Sequence, residues 1–225
     1  MIEIWPQVNL LSQLVIDKFK NYSIETFKPE YEIHVDNFSW KNYIWTSDKF
    51  RRAHIEIVDA TATKKMWVMH MCIFPHYDSP DPIFGFDVVC GQNKITGAFH
   101  DFSKVGKSNL YDWYQNRMSA VQWSKPRELP EWAQKIFSPN MLAAGNIQTQ
   151  EEYDQLVNTF IDNLDYYLYN IGSSVKDADF SSMQNRYCKN QKLNPHTPAM
   201  MVNFGVDKQV FTNFMDEVLF PETHG

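Results

Sequence analysis

Cysteine is scarce in this chain, and its three thiols form no recognisable site. Cys72, Cys90 and Cys188 are odd in number and widely spaced, and neither a CxxC pair nor a zinc-binding pattern is present. The chain also lacks the GxGxxG, GxxxxGKS/T and HExxH motifs of dinucleotide, phosphate-loop and zinc-protease sites. We therefore predict a reduced, cytoplasmic protein without a metal or nucleotide cofactor, and any redox chemistry must take its electrons from another protein.

Long apolar runs and a surplus of positive charge are missing as well. No run approaches the roughly 20 residues that span a bilayer. The opening segment MIEIWPQVNLLSQ has neither the basic stretch nor the cleavage site of a signal peptide. The net charge is -6, which argues against nucleic acid as the main partner. Neither a membrane nor a nucleic acid is therefore expected among the partners.

Aromatic residues are abundant: the 225 residues include 16 Phe, 11 Tyr and 7 Trp. The length suits one large domain, and no repeat, low-complexity tract or linker divides residues 1–225. So many rings are typical either of a protein that encloses a large flat ligand or of an aromatic-rich core. Composition alone leaves both interpretations open.

The hydrophobic pattern predicts a sheet enclosed by helices. Apolar residues at helical spacing indicate a first helix, and six segments rich in Val, Ile and aromatic residues follow it. Since no helical pattern separates these segments, they are typical of an antiparallel meander. The predicted first helix is 6–21, and the predicted strands are 31–37, 41–47, 52–59, 66–74, 83–90 and 94–102.

Helical patterns return after Asp101. Thr149 and Gly172 mark the start and the end of the clearest one. Because the strand segment MWVMHMCIF is apolar on both faces, both faces of the sheet should be covered. We therefore predict a three-layer α/β/α sandwich with a central antiparallel sheet. The predicted later helices are 108–123, 149–172, 177–190 and 207–219.

Ionisable residues interrupt three of the predicted strands. His54 and Glu56 alternate with isoleucines in AHIEIV, His70 lies between two methionines, and Asp87 lies within IFGFDVV. A buried carboxyl group needs a partner or becomes protonated, and its raised pKa then makes it a usable proton donor. The structural alternatives are a hydrogen-bonded core histidine, a Glu paired with Lys or Arg, and an Asp that caps a turn. Because neighbouring strands lie about 5 Å apart, their occurrence on consecutive strands favours a shared enzyme or ligand site.

Six segments occur in a fixed order with nearly constant spacing: KFRRAHIEI (49–57), HMCIFP (70–75), PIFGFDVVCG (82–91), RELPEWAQKIFSP (127–139), RYCKNQKLNPHT (186–197) and FMDEVLFP (214–221). Together they resemble the ferredoxin-dependent bilin reductases, most closely the phycocyanobilin:ferredoxin oxidoreductase branch. The resemblance implies the sandwich already predicted, with an open-chain tetrapyrrole between the sheet and the C-terminal helices. It also implies chemistry without a bound metal, flavin or nicotinamide: ferredoxin, with its 2Fe-2S cluster, passes single electrons to the bilin, and side chains supply protons.

The resemblance assigns roles to individual residues. Asp87 takes the place of the family's central Asp, which contacts the pyrrole nitrogens and protonates the bilin, and His70 takes the place of the His paired with it. Glu56 takes the place of the Glu beside the D-ring vinyl group. Arg127 is implied to lie near a propionate, which suits an arginine because its planar fork grips a carboxylate. The residues implied to bind substrate are His54, Thr96, Arg127 and His196.

One position departs from the family pattern. Many members carry a second catalytic Asp in the C-terminal helical segment, and counting back from Phe204 places Asn194 there. We keep Asn194 as a candidate catalytic residue, although an Asn has no titratable proton. The favoured reaction is the four-electron reduction of biliverdin IXα to phycoerythrobilin via 15,16-dihydrobiliverdin, because Asn194 and the short chain resemble a viral offshoot of the branch. The alternatives are reduction to phycocyanobilin and a bilin-binding protein without turnover.

Biliverdin IXα and ferredoxin are the partners that the resemblance implies, and a heme oxygenase or a bilin acceptor is a further candidate. The family also implies a monomer. Cations clustered at the mouth of the site would attract an acidic carrier such as ferredoxin. The candidate surface cations are Lys49, Arg51, Arg52, Lys64, Lys65, Lys104, Lys107, Lys189 and Lys192.

Overall fold

An eight-stranded antiparallel sheet forms the centre of the computed structural model, which describes residues 2–35 and 37–223. Its strands are β1 (Ser23–Ile24), β2 (Ile33–Val35), β3 (Phe38–Thr46), β4 (Phe50–Ala60), β5 (Met66–Pro75), β6 (Ile83–Gly91), β7 (Lys94–Ser103) and β8 (Leu142–Ile147). Neighbours follow the order β1-β3-β4-β5-β6-β7-β8, and β2 also pairs with β3. Because β2 to β7 pair consecutively through short connections, the predicted meander is confirmed.

Helices cover both faces of this sheet. They are α1 (Ile4–Lys18), α2 (Thr61–Lys64), α3 (Asn109–Met118), α4 (Glu131–Gln134), α5 (Gln150–Asn170), α6 (Ser181–Gln191), α7 (His196–Asn203) and α8 (Lys208–Phe214). Apolar side chains of α1, α3 and α5 share one core with Ile55, Met69 and Phe86. Those of α6, α7 and α8 share a second core with Val58 and Val68. Because successive side chains of each strand point to opposite faces of the sheet, the two cores lie on opposite faces. The predicted α/β/α sandwich is therefore confirmed.

Local capping explains where several helices begin and end. Thr149 accepts a hydrogen bond from the backbone N–H of Glu152 at 3.2 Å, so the predicted cap of α5 is confirmed. Gly172 follows that helix with a φ of 118°, which suits glycine. The predicted helix over 177–190 begins instead at Ser181, since Asp177 has a φ of 60° and cannot continue a right-handed helix.

Several elements were missed from the sequence, and one strand was placed too broadly. The longest missed elements are β8 and α7, and the short β1, α2 and α4 were missed as well. The segment LAAGNI of β8 is poor in aromatic residues, and its pairing with β7, not its own propensity, makes it a strand. The predicted strand 31–37 is reduced to Ile33–Val35 after a 3-10 turn at Pro29–Tyr31, and Asp36 lies outside the described residues.

Three properties of the described residues bear on the predictions about thiols, membranes and metals. Cys72, Cys90 and Cys188 are buried and free. Within residues 2–35 and 37–223, no helix has the length and apolar character needed to cross a bilayer. The same residues include no group of three or more His, Cys, Asp or Glu side chains placed to hold a metal ion.

Candidate active site

A line of side chains crosses five strands on the sheet face that the C-terminal helices cover. We call it the transverse row. Because cross-strand partners point to the same face, strand register alone brings these residues together, although they are far apart in sequence. In order across the sheet, the row consists of Asn42, Glu56, His70, Asp87 and Phe99.

The transverse row runs from a dry end to an open end. Asn42 and Glu56 are 2% and 3% exposed, whereas His70, Asp87 and Phe99 are half-buried. Asp87 makes no side-chain hydrogen bond to the described residues. Its carboxyl group is therefore available to a ligand that enters from the open end.

Asp87 lies in the middle of β6, so the interpretation of this residue as a turn cap is wrong. Burial raises the pKa of Asp87 to about 7. Because a carboxyl group with such a pKa holds its proton in part at neutral pH and can release it, Asp87 has the properties of a general acid.

Glu56 has an aromatic partner. The indole Nε1–H of Trp40 donates to Glu56 Oε1 at 2.7 Å, so the alternative of a Lys or Arg partner is wrong. Burial raises the pKa of Glu56 to about 7, while the hydrogen bond from Trp40 lowers it and the charge of Asp87 raises it. The row therefore includes a second carboxyl group that can carry a proton near neutral pH.

The two histidines of the site are held in neutral form. Asn42 donates through Nδ2 to the carbonyl of Tyr31 at 2.6 Å, so its Oδ1 faces His54 Nε2, 2.9 Å away, and this nitrogen of His54 carries the hydrogen. Burial lowers the pKa of His70 to about 4 and that of His54 well below its usual value. Their ring centroids are 6.3 Å apart, and within the described residues neither Nδ1 has a hydrogen-bond partner.

Aromatic rings from the C-terminal segment cover the histidines. The ring of Phe214 lies 5.8 Å from that of His54, and the ring of Phe220 lies 5.7 Å from that of His70. A π-helical turn over Met215–Leu219 separates the two phenylalanines, an irregularity often found at functional sites. The segment FMDEVLFP carries part of the family resemblance, but no periodicity in the sequence shows which strand its rings cover.

An ion-pair network ties this segment to the sheet. The carboxylate of Glu217 accepts hydrogen bonds from Lys28 Nζ at 2.7 Å and from Tyr31 Oη at 2.8 Å. The backbone carbonyl of Glu217 accepts another from Arg52 Nη1 at 2.8 Å. These contacts hold the C-terminal segment over the buried end of the row.

Arg127 lies at the open end of the row. Its guanidinium carbon is 5.8 Å from the centroid of the Phe99 ring. The side chain fits against two glycines: a Cβ at Gly97 would lie 2.8 Å from Arg127 Nη1, and one at Gly145 would lie 3.1 Å from Arg127 Cδ. The position suits a cation that binds a carboxylate of a ligand lying over the row.

The remaining predicted substrate residues are placed differently. The hydroxyl of Thr96 donates to the carbonyl of Val89 at 2.9 Å, next to the bulge between β6 and β7. His196 is exposed at the start of α7. The structure joins neither residue to the transverse row, and their binding roles stay predictions.

Asn194 forms a cap at the start of α7. Its Oδ1 accepts from the backbone N–H of His196 at 3.0 Å, and its Nδ2 donates to Thr197 Oγ1 at 3.1 Å. Both functions of the amide are thus used locally. Asn194 is not part of the transverse row, and a catalytic role for it stays a prediction.

The structure divides the predicted surface cations into two sets. The prediction that Arg51 is a free surface charge is wrong. Its guanidinium lies 4.5 Å from the centroid of the Phe74 ring, and its Nε donates to Gln184. Arg52, Lys189 and Lys192 pair with carboxylates, and Lys49 donates to backbone carbonyls. Those whose side chains form neither an ion pair nor a hydrogen bond with the described residues are Lys64, Lys65, Lys104 and Lys107.

A cavity of about 260 Å³ lies beside the transverse row rather than over it. Its lining includes Lys104, Phe137 and Tyr187. The Tyr187 hydroxyl would lie 3.4 Å from a Cβ at Gly85, two residues before Asp87, and it accepts from Gln191 Nε2 at 2.8 Å. Sequence reasoning missed Tyr187, since its proximity to β6 depends on how α6 packs.

The geometry defines an antiparallel sandwich whose covered face carries titratable groups beside an opening, which is an arrangement suited to proton-coupled chemistry on a bound ligand. Residues 15–221 match the family model described as ferredoxin-dependent bilin reductase. This chain therefore belongs to the ferredoxin-dependent bilin reductase family, and it is an enzyme of the oxidoreductase class.

Individual relatives agree with this family. A phycocyanobilin:ferredoxin oxidoreductase of Prochlorococcus marinus (strain MIT 9515) is 29% identical over 228 residues, which cover 94% of this chain and 86% of the relative. Among solved structures, PcyX is similar with a TM-score of 0.68 at 24% identity and covers 96% of this chain and 99% of its own. Phytochromobilin synthase from tomato, in complex with biliverdin, has a TM-score of 0.74 at 13% identity, with 95% and 82% covered. The two structures establish the shared fold.

The raised pKa of Asp87 predicts how the stability of the fold depends on pH. The carboxyl group has an ordinary pKa of 3.8 when unfolded and about 7 when folded, so the folded state holds its proton more tightly and loses stability as pH rises through this interval. Asp87→Asn has no charge to bury. We expect this variant to be more stable than wild type by about 2 kcal/mol at pH 8 and equally stable near pH 4, measured by denaturant unfolding.

A second buried carboxyl group on the same face serves as the contrasting control. Asp101 accepts hydrogen bonds from Ser103 Oγ and from the backbone N–H and hydroxyl of Ser138. Burial raises the pKa of Asp101 to about 6, less than that of Asp87, because these hydrogen bonds lower it. Asp101→Asn therefore gains less from the absence of a buried charge and loses hydrogen bonds, so it should be less stable than wild type by about 1–3 kcal/mol. If Asp87→Asn is destabilised to the same extent, Asp87 has a structural partner and is not free for a ligand.

Proposed function

We propose that this protein reduces biliverdin IXα to a phytobilin with four electrons from ferredoxin, and that phycoerythrobilin, formed via 15,16-dihydrobiliverdin, is the product. The observation that carries the proposal is the pairing of two carboxyl groups, each with a pKa near 7, across a neutral histidine in one row. Family membership supports the electron donor. The biliverdin bound to the tomato relative supports the substrate.

Proton balance explains why several titratable groups are needed. Each two-electron reduction converts one carbon–carbon double bond of the bilin to a single bond and adds two hydrogens, so a four-electron conversion consumes four protons. Asp87, at the open part of the row, donates to the bilin and can regain its proton from solvent. Glu56, at the dry end, is the second donor, and His70 lies between the two carboxyl groups.

A flat tetrapyrrole fits the surroundings of these donors. The bilin would lie between the sheet and the C-terminal helices, over the half-buried part of the row. Arg127 at the open end would bind a propionate with its guanidinium, and Phe220 beside His70 offers an aromatic face to a conjugated ring. The apolar cover excludes water from a radical intermediate, which protects it from side reactions.

Phycocyanobilin is the second candidate product. Glu56 and His70, which the resemblance assigns to the phycocyanobilin branch, favour it, as does the name of the Prochlorococcus relative. Asn194 favours phycoerythrobilin, since this position lacks the titratable proton of the usual Asp.

Anaerobic turnover tests the proposal. Protein, biliverdin and reduced ferredoxin are mixed, the absorption spectrum is followed, and the products are separated by chromatography against both phytobilin standards. We expect a shift of absorption to shorter wavelength and a four-electron product that coelutes with phycoerythrobilin. A biliverdin spectrum that changes on binding and then stays constant would show a bilin-binding protein without turnover.

Asn194→Asp tests what residue 194 contributes to the product. The new carboxylate can still accept from the His196 N–H, and the Thr197 hydroxyl can rotate to donate to it, so we expect the fold and its stability to be preserved. The added titratable group should change the ratio of two-electron to four-electron products in the same chromatogram. An unchanged ratio would show that residue 194 acts only as a helix cap.

A further inference from the structure

We propose that Trp40 is a positioning residue for Glu56: its indole N–H determines which carboxyl oxygen carries the proton, and so directs that proton into the site. The inference rests on the proposed function, in which Glu56 donates a proton to the bilin. Trp40 itself lies behind Glu56 and acts through it.

The direction of one hydrogen bond is decisive. An indole N–H can donate but cannot accept, so Glu56 Oε1, 2.7 Å from Trp40 Nε1, must act as the acceptor. A protonated carboxyl group carries its hydrogen on one oxygen. Since Oε1 is occupied as the acceptor, the hydrogen of the acid form lies on Oε2, which makes no hydrogen bond to the described residues and is free to donate.

The indole cannot turn away from this contact. Trp40 is fully buried, with 0% exposure. Its ring lies 4.7 Å from the ring of Phe214 in an edge-on arrangement and 6.0 Å from that of Phe211. These rings belong to α8. The packing that holds the C-terminal segment over the site therefore also holds in place the indole that donates a hydrogen bond to Glu56.

Among the described residues, no other group around Glu56 replaces the effect of the Trp40 N–H on the pKa of Glu56. His54 and His70 are neutral at neutral pH, and Asp87 raises the pKa of Glu56, so Trp40 is the influence that lowers it. Glu217 is already paired with Lys28 and Tyr31. The titratable and charged groups of the surrounding elements are His54 and Arg52 on β4, His70 on β5, Asp87 on β6, and Lys28, Tyr31 and Glu217 from the covering segments.

Two replacements at position 40 separate the hydrogen bond from the shape of the ring. Incorporation of 3-benzothienylalanine keeps the bicyclic ring and lacks the N–H, and Trp40→Phe removes both the donor and some volume. Trp67 provides a matched control, because it is 1% exposed, packs in the core on the opposite face, and within the described residues its Nε1 has no hydrogen-bond partner. Trp67→Phe therefore removes similar volume without removing a hydrogen bond.

The first measurement needs no turnover. Isotope-edited infrared difference spectra of the biliverdin complex, with Glu56→Gln used to assign the band, report the carbonyl stretch of protonated Glu56. A hydrogen bond weakens the carbonyl bond that accepts it, so the band should move to higher frequency in both Trp40 variants and stay in place in Trp67→Phe. A band that stays in place in the benzothienyl variant overturns the inference.

The second measurement is the pH dependence of bilin reduction. Loss of the donor should raise the pKa of Glu56 above about 7, so the alkaline limb of the step that Glu56 serves should move to higher pH, whereas the limb set by Asp87 should keep its position. At the optimum, the step that Glu56 serves should slow by about tenfold, the equivalent of one hydrogen bond. A purely structural role would lower the amount of folded protein but leave the position of this limb unchanged.

Glu56→Gln distinguishes failure of this inference from failure of the proposed function. If Glu56→Gln reduces biliverdin as wild type does, Glu56 is not a proton donor, and the proposed function is wrong in this respect. If Glu56→Gln is slow while the benzothienyl variant has wild-type rates and pH dependence, only the positioning role of Trp40 is wrong.

Discussion

Asp87→Asn should bind biliverdin normally but reduce it about 10²–10⁴ times more slowly than wild type, the usual contribution of a positioned general acid. The Asp87 side chain makes no hydrogen bond to the described residues, so the amide should leave the fold intact. It removes the proton that the acid form of the carboxyl group would deliver. Single-turnover absorption spectra with reduced ferredoxin should show a bound bilin that accepts an electron and then stalls, with a persistent radical signal in electron paramagnetic resonance.

Asp101→Asn is the control for this variant. It also converts an aspartate of the same sheet face to an amide, but the carboxylate of Asp101 accepts hydrogen bonds from Ser103 and Ser138. We expect reduced stability with turnover retained at a temperature where the variant is folded. Wild-type product formation by Asp87→Asn would refute its role as the proton donor.

Glu56→Gln should slow one of the two reductions by about 10² and let a two-electron-reduced bilin accumulate. The substitution is conservative in geometry, since the Trp40 N–H can still donate to the side-chain carbonyl at position 56. It removes the titratable proton, so any rate loss reports proton donation and not altered packing. Chromatography of samples quenched over time measures the accumulation.

The pH dependence provides an internal check on Glu56. In wild type, the rate of the step that Glu56 serves should fall as pH rises above about 7, where Glu56 loses its proton. In Glu56→Gln the part of this pH dependence that belongs to Glu56 should be absent, while the part set by Asp87, whose pKa is also about 7, should remain. Direct formation of the four-electron product at the wild-type rate would show that Asp87 and solvent supply all four protons.

The layered fold was predictable because local patterns decide it. Strong alternation and short turns predicted six consecutive strands, and the apolar segment MWVMHMCIF predicted cover on both faces. Weak local patterns led to the errors. The strand β8 and the helix α7 depend on contacts with β7 and with the second core, and the irregular stretch before β3 has no clear period.

The sequence predicted the chemistry of the site but not all of the residues that form it. Burial of a carboxyl group in an apolar strand costs free energy in any fold. Asp87 and Glu56 could therefore be recognised as candidate site residues from the sequence alone. Trp40 was missed because the predicted strand began at residue 41, one position after Trp40, whereas β3 begins at Phe38. Even the correct boundary would not have shown that the indole N–H reaches Glu56, since that contact joins residues on two strands.

The sequence by itself determined the class of fold, the identity of the unusual buried ionisable groups and, through ordered segments, the resemblance to a family that residues 15–221 match. Tertiary structure alone decided the register that aligns Glu56, His70 and Asp87, the indole that orients Glu56, and the use of Asn194 as a cap. The physical reason is that alternation specifies which face a side chain occupies, whereas the distance between two strands' side chains depends on register and on the rings packed above them.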